Sequence, residues 1–392
     1  VAIGVTDQAQ MSAVEPREGV AVGQGGRTFS MVVADWTNQL AIIDTFESAT
    51  LIARHNEVSG YEVKLPTDSI AGRMLLGLAR PRILFLTEAG VFRSGPVIRL
   101  QRTVDDGGDV LTVNGTDDLV WLRRRLAHPC PGVAAPPYTQ QTNHVISGAA
   151  SQVIADYVSW NAGPKAIPAR RVANLAVPVP AAFGPNITLS ARYQNLLEFL
   201  QPAAKQAKIG FAMRGLSFEV FQPVGVAVFS VELGTLAAFE SAADVPETDY
   251  VYVAGGGEGT ARVIREYQDI ASVQAWGRIE SFVDRRDTTT TGELDQSGAE
   301  ALAEGIHAPS IKLDVLDTPA QRFLVDWTVG DTATAVLYGG QAITDIIVEA
   351  KIELTPNAPP IVQPVLGSPP LDLKAWRRLQ GTEARLRQLE RV

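Results

Sequence analysis

RILFLTEAGVFRSGPVIRLQRTVDDGGDVLTVNG, residues 82–115, decides the fold class. Its apolar, β-branched runs are separated by Glu88-Ala89-Gly90 and by Asp105-Asp106-Gly107-Gly108-Asp109. Such clusters form turns, because Gly tolerates positive φ and Asp bonds its own backbone. The stretch predicts an antiparallel meander. Upstream, FSMVVAD (29–35), QLAIIDTF (39–46) and ATLIAR (49–54) are short strand-like runs. HNEVSGYEVKLP (55–66) turns at Ser59-Gly60 into an alternating strand. Residues 27–115 therefore read as an all-β domain, a small barrel or sandwich, preceded by a leader at 1–26. That leader has no basic segment followed by an apolar run, so it is not a secretory signal, and it is expected to drape on a partner.

The pattern changes at TVNGTDDLVWLRRRL (112–126). Thr116 or Asp117 can cap a short helix carrying Leu119, Leu122 and Leu126 on one side. Asp117 and Asp118 at its start and Arg123, Arg124 and Arg125 at its end suit the helix dipole. A second helix is expected from Ser147 to about Gly163-Pro164. A third spans 190–208, with Tyr193, Leu196, Leu197 and Leu200 on one face and Pro202 ending or kinking it. IGFAMRG (209–215), LSFEVFQP (216–223) and AVFSVEL (227–233) read as a further meander. Residues 116–245 are thus a mixed α+β region, and 246–305 a β-rich connection with one helix at SGAEALAEGI (297–306). A second β unit spans 306–355, its texture like that of 27–115. The fold class is α+β, mainly β.

TPNAPPIVQPVLGSPP (355–370) predicts an extended, semi-rigid linker at 356–370. It leads to an amphipathic helix at 371–392 striped by Leu373, Trp376, Leu379, Leu386 and Leu389. So short a helix is marginal alone in water. It packs on its own body, self-associates about a symmetry axis, or lies on a membrane surface. Its six Lys/Arg and three Asp/Glu give it +3 of the net charge of -9, leaving -12 for the rest.

An acidic chain argues against a nucleic-acid binder, and one cysteine, Cys130, excludes an internal disulfide or a Cys-based zinc site. The charge-free stretches 126–155 and 172–191 hold prolines and polar residues, so no membrane span is expected. His55, His128, His144 and His307 lack metal-ligand spacing, so no metal is expected. His128 and Cys130 lie close, but in a Pro-rich loop without a helix N-terminus to activate the thiol. No GxSxG elbow occurs. Asp105-Asp106 and Asp117-Asp118 read as turn and cap. AGGGEGTAR (254–262) lacks the P-loop order, so a β-turn is favoured over a phosphate cradle. Asp284-Arg285-Arg286-Asp287 reads as a solvated or subunit-bridging loop. The six tryptophans are dispersed, so core packing is their default. No catalytic residue and no cofactor is expected.

Several stretches together resemble a known family: ADWTNQLAIIDTFESATLIARHNEVSGYEVKLP, TVNGTDDLVWLRRRLAHP, SARYQNLLEFLQ, YVYVAGGGEGTARVIRE, WGRIESFVDRRDTT and DTPAQRFLVDWTVGD. They span about 31–331, and their order is similar to that in minor tail proteins of actinobacterial siphophages, in the baseplate-hub or tail-tip group (Tal-like, Gp37-like). The resemblance implies two tail-tube-like β-barrel domains, here at 27–115 and 306–355, with mixed α/β domains between them. It implies a homotrimer that docks on the distal tail ring, adapts sixfold to threefold symmetry and forms the DNA ejection conduit. Further implied partners are the C-terminus of the tape-measure protein and downstream fibre or spike proteins, with DNA only in transit. The place implied is the virion tail tip, assembled in the host cytoplasm. Trp376, Leu379, Leu386 and Leu389 are the candidate trimer or axial contacts. The acidic body fits a lumen that repels phosphate. The alternatives are a tail-associated cell-wall hydrolase and a receptor- or glycan-binding tail module.

Overall fold

The computed structural model describes residues 29–367 except 139, 224, 243–244, 306–309, 317, 319–320 and 338–341. The leader, His307 and the C-terminal helix with Trp376, Leu379, Leu386 and Leu389 lie outside the described residues. The first β unit contains β1 (Ser30–Ala34), β2 (Gln39–Ile42), β3 (Ser48–Arg54), β4 (Gly60–Pro66), α1 (Ile70–Gly77), β5 (Arg82–Thr87), β6 (Gly90–Asp105) and β7 (Gly108–Thr116). The expected strands are all present. Helix α1 is an addition to the all-β expectation, and its start is set by Ser69, whose Oγ accepts from Gly72 N at 3.0 Å. In β3 and β4 buried and open positions alternate, placing Leu51, Ala53, Val63 and Leu65 in one core.

An insert follows: α2 (Val120–Arg123), β8 (His144–Ala149), α3 (Ala150–Asn161), β9 (Asn186–Ala191), α4 (Leu196–Ala207), β10 (Gly210–Arg214) and β11 (Ser217–Phe221). Three expected boundaries move. Helix α2 is a single turn, because beyond it Leu126 bridges Asn195 and Ala127 exchanges backbone bonds with Gln194 and Tyr193. Leu126 is consequently 48% exposed while Leu119 and Leu122 are buried. Helix α3 starts three residues later than Ser147, because 144–149 pairs with β9. Helix α4 starts after Asn195, whose Oδ1 accepts from Leu197 N and Glu198 N. Tyr193 lies before it with φ +64°. Pro202 does not end α4, which runs on to an αL cap at Lys208.

The chain then returns through β12 (Val226–Ser230) and β13 (Leu236–Ala242). Strands β10 and β11 form a hairpin, but β12 leaves the expected meander and pairs in parallel with a later strand. A small module contains β14 (Tyr250–Ala254), β15 (Ile264–Gln268), α5 (Ile270–Trp276), β16 (Glu280–Asp284) and α6 (Thr291–Gly305). Helix α5 is a second addition, capped by Asp269, whose Oδ1 accepts from Ser272 N at 2.8 Å. The last strands are β17 (Ser310–Val315), β18 (Thr332–Val336), β19 (Ala342–Leu354) and β20 (Ile361–Leu366). Strand β20 falls within the Pro-rich stretch read as a linker, so part of that stretch is sheet. Pro364 pairs with Ala350 of β19, whereas the recorded partners of β17 are only Val365 and Leu366. A strand proline is tolerated at such an edge.

Strands from both ends of the chain form one 13-stranded sheet among the described residues, in the order β13-β17-β20-β19-β3-β4-β7-β6-β5-β1-β2, with β18 also beside β19 and β12 beside β18. The two β units meet where β19 pairs antiparallel with β3, and Arg54 Nε holds Glu349 there at 2.8 Å. The long strands β6 and β19 each change neighbours partway. β6 pairs first with β5 and then with β7, and its register with β7 shifts between Val97 and Arg99. β19 pairs first with β18 and later with β3 and β20, with a shift between Ile347 and Glu349. Such irregularities bend a strand and re-aim it. One core, from Phe29 and Leu51 to Phe229, Trp327 and Ile352, serves both units. The insert has its own core around Tyr157, Leu200 and Phe211.

Candidate functional site

The insert is fixed to the sheet by buried polar groups. Asp117 and Asp118 follow β7, so their backbone leaves the sheet where β5 and β6 run beside it. Arg82 Nη2 donates to Asp118 Oδ2 at 2.7 Å, and the two side chains are 4% and 0% exposed. Ser94 Oγ donates to the same oxygen at 2.5 Å, and Trp121 Nε1 donates to Oδ1 at 3.2 Å. Asp117 lies 4.0 Å from Arg93. Burial pushes its carboxyl up to about 6, against the pull of Arg93. Burial raises Asp118 as well, opposed by Arg82. A Cβ on Gly95 would stand 1.9 Å from Thr116 O, so only glycine allows this close approach. A second junction lies in the β3–β4 loop. Asn56 Nδ2 donates to Ile209 O at 3.0 Å, and its Oδ1 accepts from Phe211 N at 2.6 Å. Beside it, burial and then Arg93 push His55 down to about 4.

The acidic pair expected to serve as turn and helix cap is thus a pair of buried counter-ions. Asp117 still accepts from Leu119 N at 3.2 Å, but the helix it precedes is one turn long. Burying charges is costly unless they are paired and hydrogen-bonded. Here Asp118 accepts from three donors, which is what an ionised carboxylate in such a place requires.

Above this junction lies a cleft of about 820 Å³ between β5, β6, the β1–β2 loop, α2 and the segment 171–173. Trp36 and Trp121 face each other there with centroids 5.1 Å apart. The Arg82 guanidinium lies 5.0 Å from the Trp36 ring, and that of Arg124 lies 5.0 Å from the Trp121 ring. Arg80, Arg125 and Arg171 complete the basic lining, and no Asp or Glu lines the cleft. Trp36 and Trp121 were expected to be dispersed and packed on a core; both do pack on the insert's core, but the turn after β7 brings them together. Arg124 and Arg125 were expected to complement a helix end, but α2 stops at Arg123. The alternation of Trp and Arg in LVWLRRRL was the available signal. What it lacked was Trp36, 85 positions earlier in the chain.

The other sequence candidates stay apart from this cleft. His128 Nδ1 accepts from the backbone N–H of Cys130 at 3.0 Å, so that nitrogen is unavailable to take a thiol proton. Cys130 is buried, with Sγ 3.5 Å from Gln141 O. His144 packs edge-on to Tyr157, and burial lowers its affinity for a proton. Among the described residues no three of His, Cys, Asp and Glu gather as a metal site. In AGGGEGTAR, Gly255 N bonds Val263 O at 2.8 Å and Gly256 N bonds Thr288 O at 2.7 Å. Those amides are spent within the module and cannot cradle phosphate. Arg285 bonds Asp287, and Arg286 bonds Asp284, closing the charged run on itself. No helix among the described residues is long and apolar enough to cross a membrane.

Comparison with known proteins bears on the whole chain. The sequence model of the family described as Siphovirus ReqiPepy6 Gp37-like protein matches residues 33–368. No curated protein matches the sequence significantly. Among solved structures, the 43 kDa tail protein of prophage MuSo2 from Shewanella oneidensis superposes with a TM-score of 0.55 at 10% identity, over 86% of this chain and 98% of that one. A tail protein from Neisseria meningitidis MC58 gives 0.55 at 12% identity, over 87% and 96%. Prophage tail protein gp18 from Listeria monocytogenes EGD-e gives 0.52 at 11% identity, over 90% and 98%. At such identities the likeness is one of fold.

Proposed function

Since the chain belongs to the Siphovirus ReqiPepy6 Gp37-like family, we propose that it is a structural component of a long-tailed phage tail, located at the tail tip or baseplate of the virion. The observation that carries this reading is the family match across 33–368 together with a fold shared end to end with three tail proteins. On this reading three copies form a ring beneath the distal tail ring of a siphophage of an actinobacterial host, assembled in the host cytoplasm. The two β units, each with one long strand that changes partners, would supply six tube-like units and so adapt sixfold to threefold symmetry. The ring would surround the path of DNA during ejection, below the C-terminus of the tape-measure protein. The C-terminal helix would meet its copies through Trp376, Leu379, Leu386 and Leu389 and lead toward a fibre or spike.

The test is the mass of the full chain in solution, followed by electron microscopy of the particle. Three times the 42.0 kDa chain mass and a threefold ring are expected. A monomer at every concentration overturns the trimer. Shortening the chain to residue 370, which keeps β20, is expected to weaken assembly, and an unchanged mass would remove the helix from the interface. The lumen of the ring is expected to be net acidic; a lumen dominated by Lys and Arg would exclude an electrostatically repelling conduit. The protein is proposed to have no enzymatic activity, so digestion of purified peptidoglycan by the full chain is expected to match the blank.

A further inference from the structure

The cleft above the sheet–insert junction has no role in the reading above. Its charge is reversed relative to a chain of net charge -9, with five guanidinium groups and no carboxylate in its lining. Of the five, Arg82 has Asp118 as counter-ion. Arg80, Arg124, Arg125 and Arg171 have no carboxylate within ion-pair distance among the described residues. Arg125 and Arg171 instead donate through Nε to backbone carbonyls, Arg170 O at 3.0 Å and Ala166 O at 2.7 Å, which hold the groups in place without neutralising them. Burial and then the neighbouring charge of Arg124 lower the proton affinity of Arg125, a mark of like charges left uncompensated.

A second observation concerns donors. Arg82 is only 3% exposed, and its Nη1 has no hydrogen-bond partner. Trp36 Nε1 is likewise buried and unpartnered. Buried donors are nearly always satisfied, so these two mark the wall of the cleft as poorly neutralised from within the protein. The volume of about 820 Å³ falls within the range of small-ligand and short-peptide sites. Pro81, Pro96, Val97 and Ile98 line the cleft beside the arginines, and Ile98 is 53% exposed.

We propose that this cleft docks an acidic peptide segment of a partner protein, its carboxylates held by Arg80 and Arg124 and its apolar side chains laid on Trp36, Trp121 and Ile98. Guanidinium groups bind carboxylates in a planar, two-pronged manner. Their alternation with aliphatic surface matches a segment in which Glu or Asp alternates with apolar residues. A single nucleic-acid strand could also stack on the indoles. Beyond those two rings the lining is aliphatic and offers further bases nothing to stack on, and the acidic body repels a chain charged at every unit. This docking site does not depend on the proposed ring.

The test uses the full chain and a capped ten-residue peptide of alternating Glu and Leu. The controls are the same peptide with Gln for Glu, and a ten-nucleotide oligothymidylate. Binding is read by quenching of tryptophan fluorescence and by calorimetry. Saturable binding of the Glu peptide is expected, weaker as salt rises and weakened about tenfold or more by combined Arg80→Ala and Arg124→Ala. Both residues are exposed, so the variant should keep the wild-type melting temperature. Trp36→Ala removes one of the two indole faces offered to the peptide and should weaken binding while leaving Arg80 and Arg124 in place. Equal binding of the Gln peptide, an unaffected double variant, or no Glu-peptide binding up to about 1 mM would overturn the proposal. Tighter binding of the oligothymidylate would reassign the cleft to phosphate.

Discussion

Residues 117–221 and 248–305 both interrupt the sheet, but they are held in different ways. The insert buries Tyr157, Leu200, Phe211 and Phe218 in a large core, and it meets the sheet through Asp118, Asn56 and their buried partners. The hydrophobic cluster of the small module is small, with Val251, Val253 and Leu294 at its centre and Tyr267 and Val283 packed against them. Its strands β15 and β16 leave Ile264 and Phe282 56% and 58% exposed. It touches the insert where α6 lies beside α4, with Lys205 Nζ donating to Ala303 O. The insert should therefore unfold with the sheet, and the module should open by itself. Stability in one chain is not uniform, and small cores with exposed ladders are its low end.

The hardest blow to this contrast is Asp118→Asn. It leaves Arg82 buried without its counter-ion and should cost about 3–5 kcal/mol. If insert and sheet form one cooperative unit, denaturant unfolding followed by Trp fluorescence and by circular dichroism will shift together. Separate shifts would divide them.

The next test is pH. His55 takes up a proton near 6.5 in the unfolded chain but only at about 4 when folded. Its contribution is complete above 6.5 and is lost as pH falls toward 4, by at most about 3 kcal/mol. Asp117 acts in the opposite sense. Its folded value of about 6 exceeds the ordinary 3.8, so its contribution is complete below 3.8 and is lost as pH rises to about 6. Relative to wild type, His55→Gln should gain stability as pH falls from about 6 to 4, and Asp117→Asn should lose it. Unfolding midpoints at four pH values check both signs.

Leu294→Ala should cost the module about 2–3 kcal/mol. Hydrogen exchange should then quicken in 248–305 but hardly change in α3 and α4. Global unfolding at a lower midpoint would erase the distinction between the two regions. Smallest of all, Phe282→Ser on the exposed face should move the melting midpoint by less than the equivalent of about 0.5 kcal/mol.

Much of this organisation was legible in the sequence where the information is local. Alternation in 48–66 and the turn residues of 88–90 and 105–109 announced β3–β7, and each is present. Helices α1 and α5 carried signals of the same local kind, the caps Ser69 and Asp269, but each is too short for periodicity to stand out. The partners of β3 and of Trp36 were not legible. Nothing near Leu51 indicates that Ile352 will lie beside it. Nothing near Trp121 indicates Trp36. Asp117 and Asp118 illustrate the same limit, because a cap and a buried counter-ion are written with the same residue type.

The pairing of β3 with β19 also sets a timetable. Arg54 and Glu349 are separated by 295 residues. At roughly 5–20 residues per second, synthesis of that span takes about 15–60 s. Throughout that interval the β3 edge has no native neighbour. A bare, apolar-backed edge is a template for pairing with another chain. During those seconds the insert is completed, and Asn56 of the loop after β3 can already engage Phe211. The nascent chain thus spends most of its manufacture with one seam open.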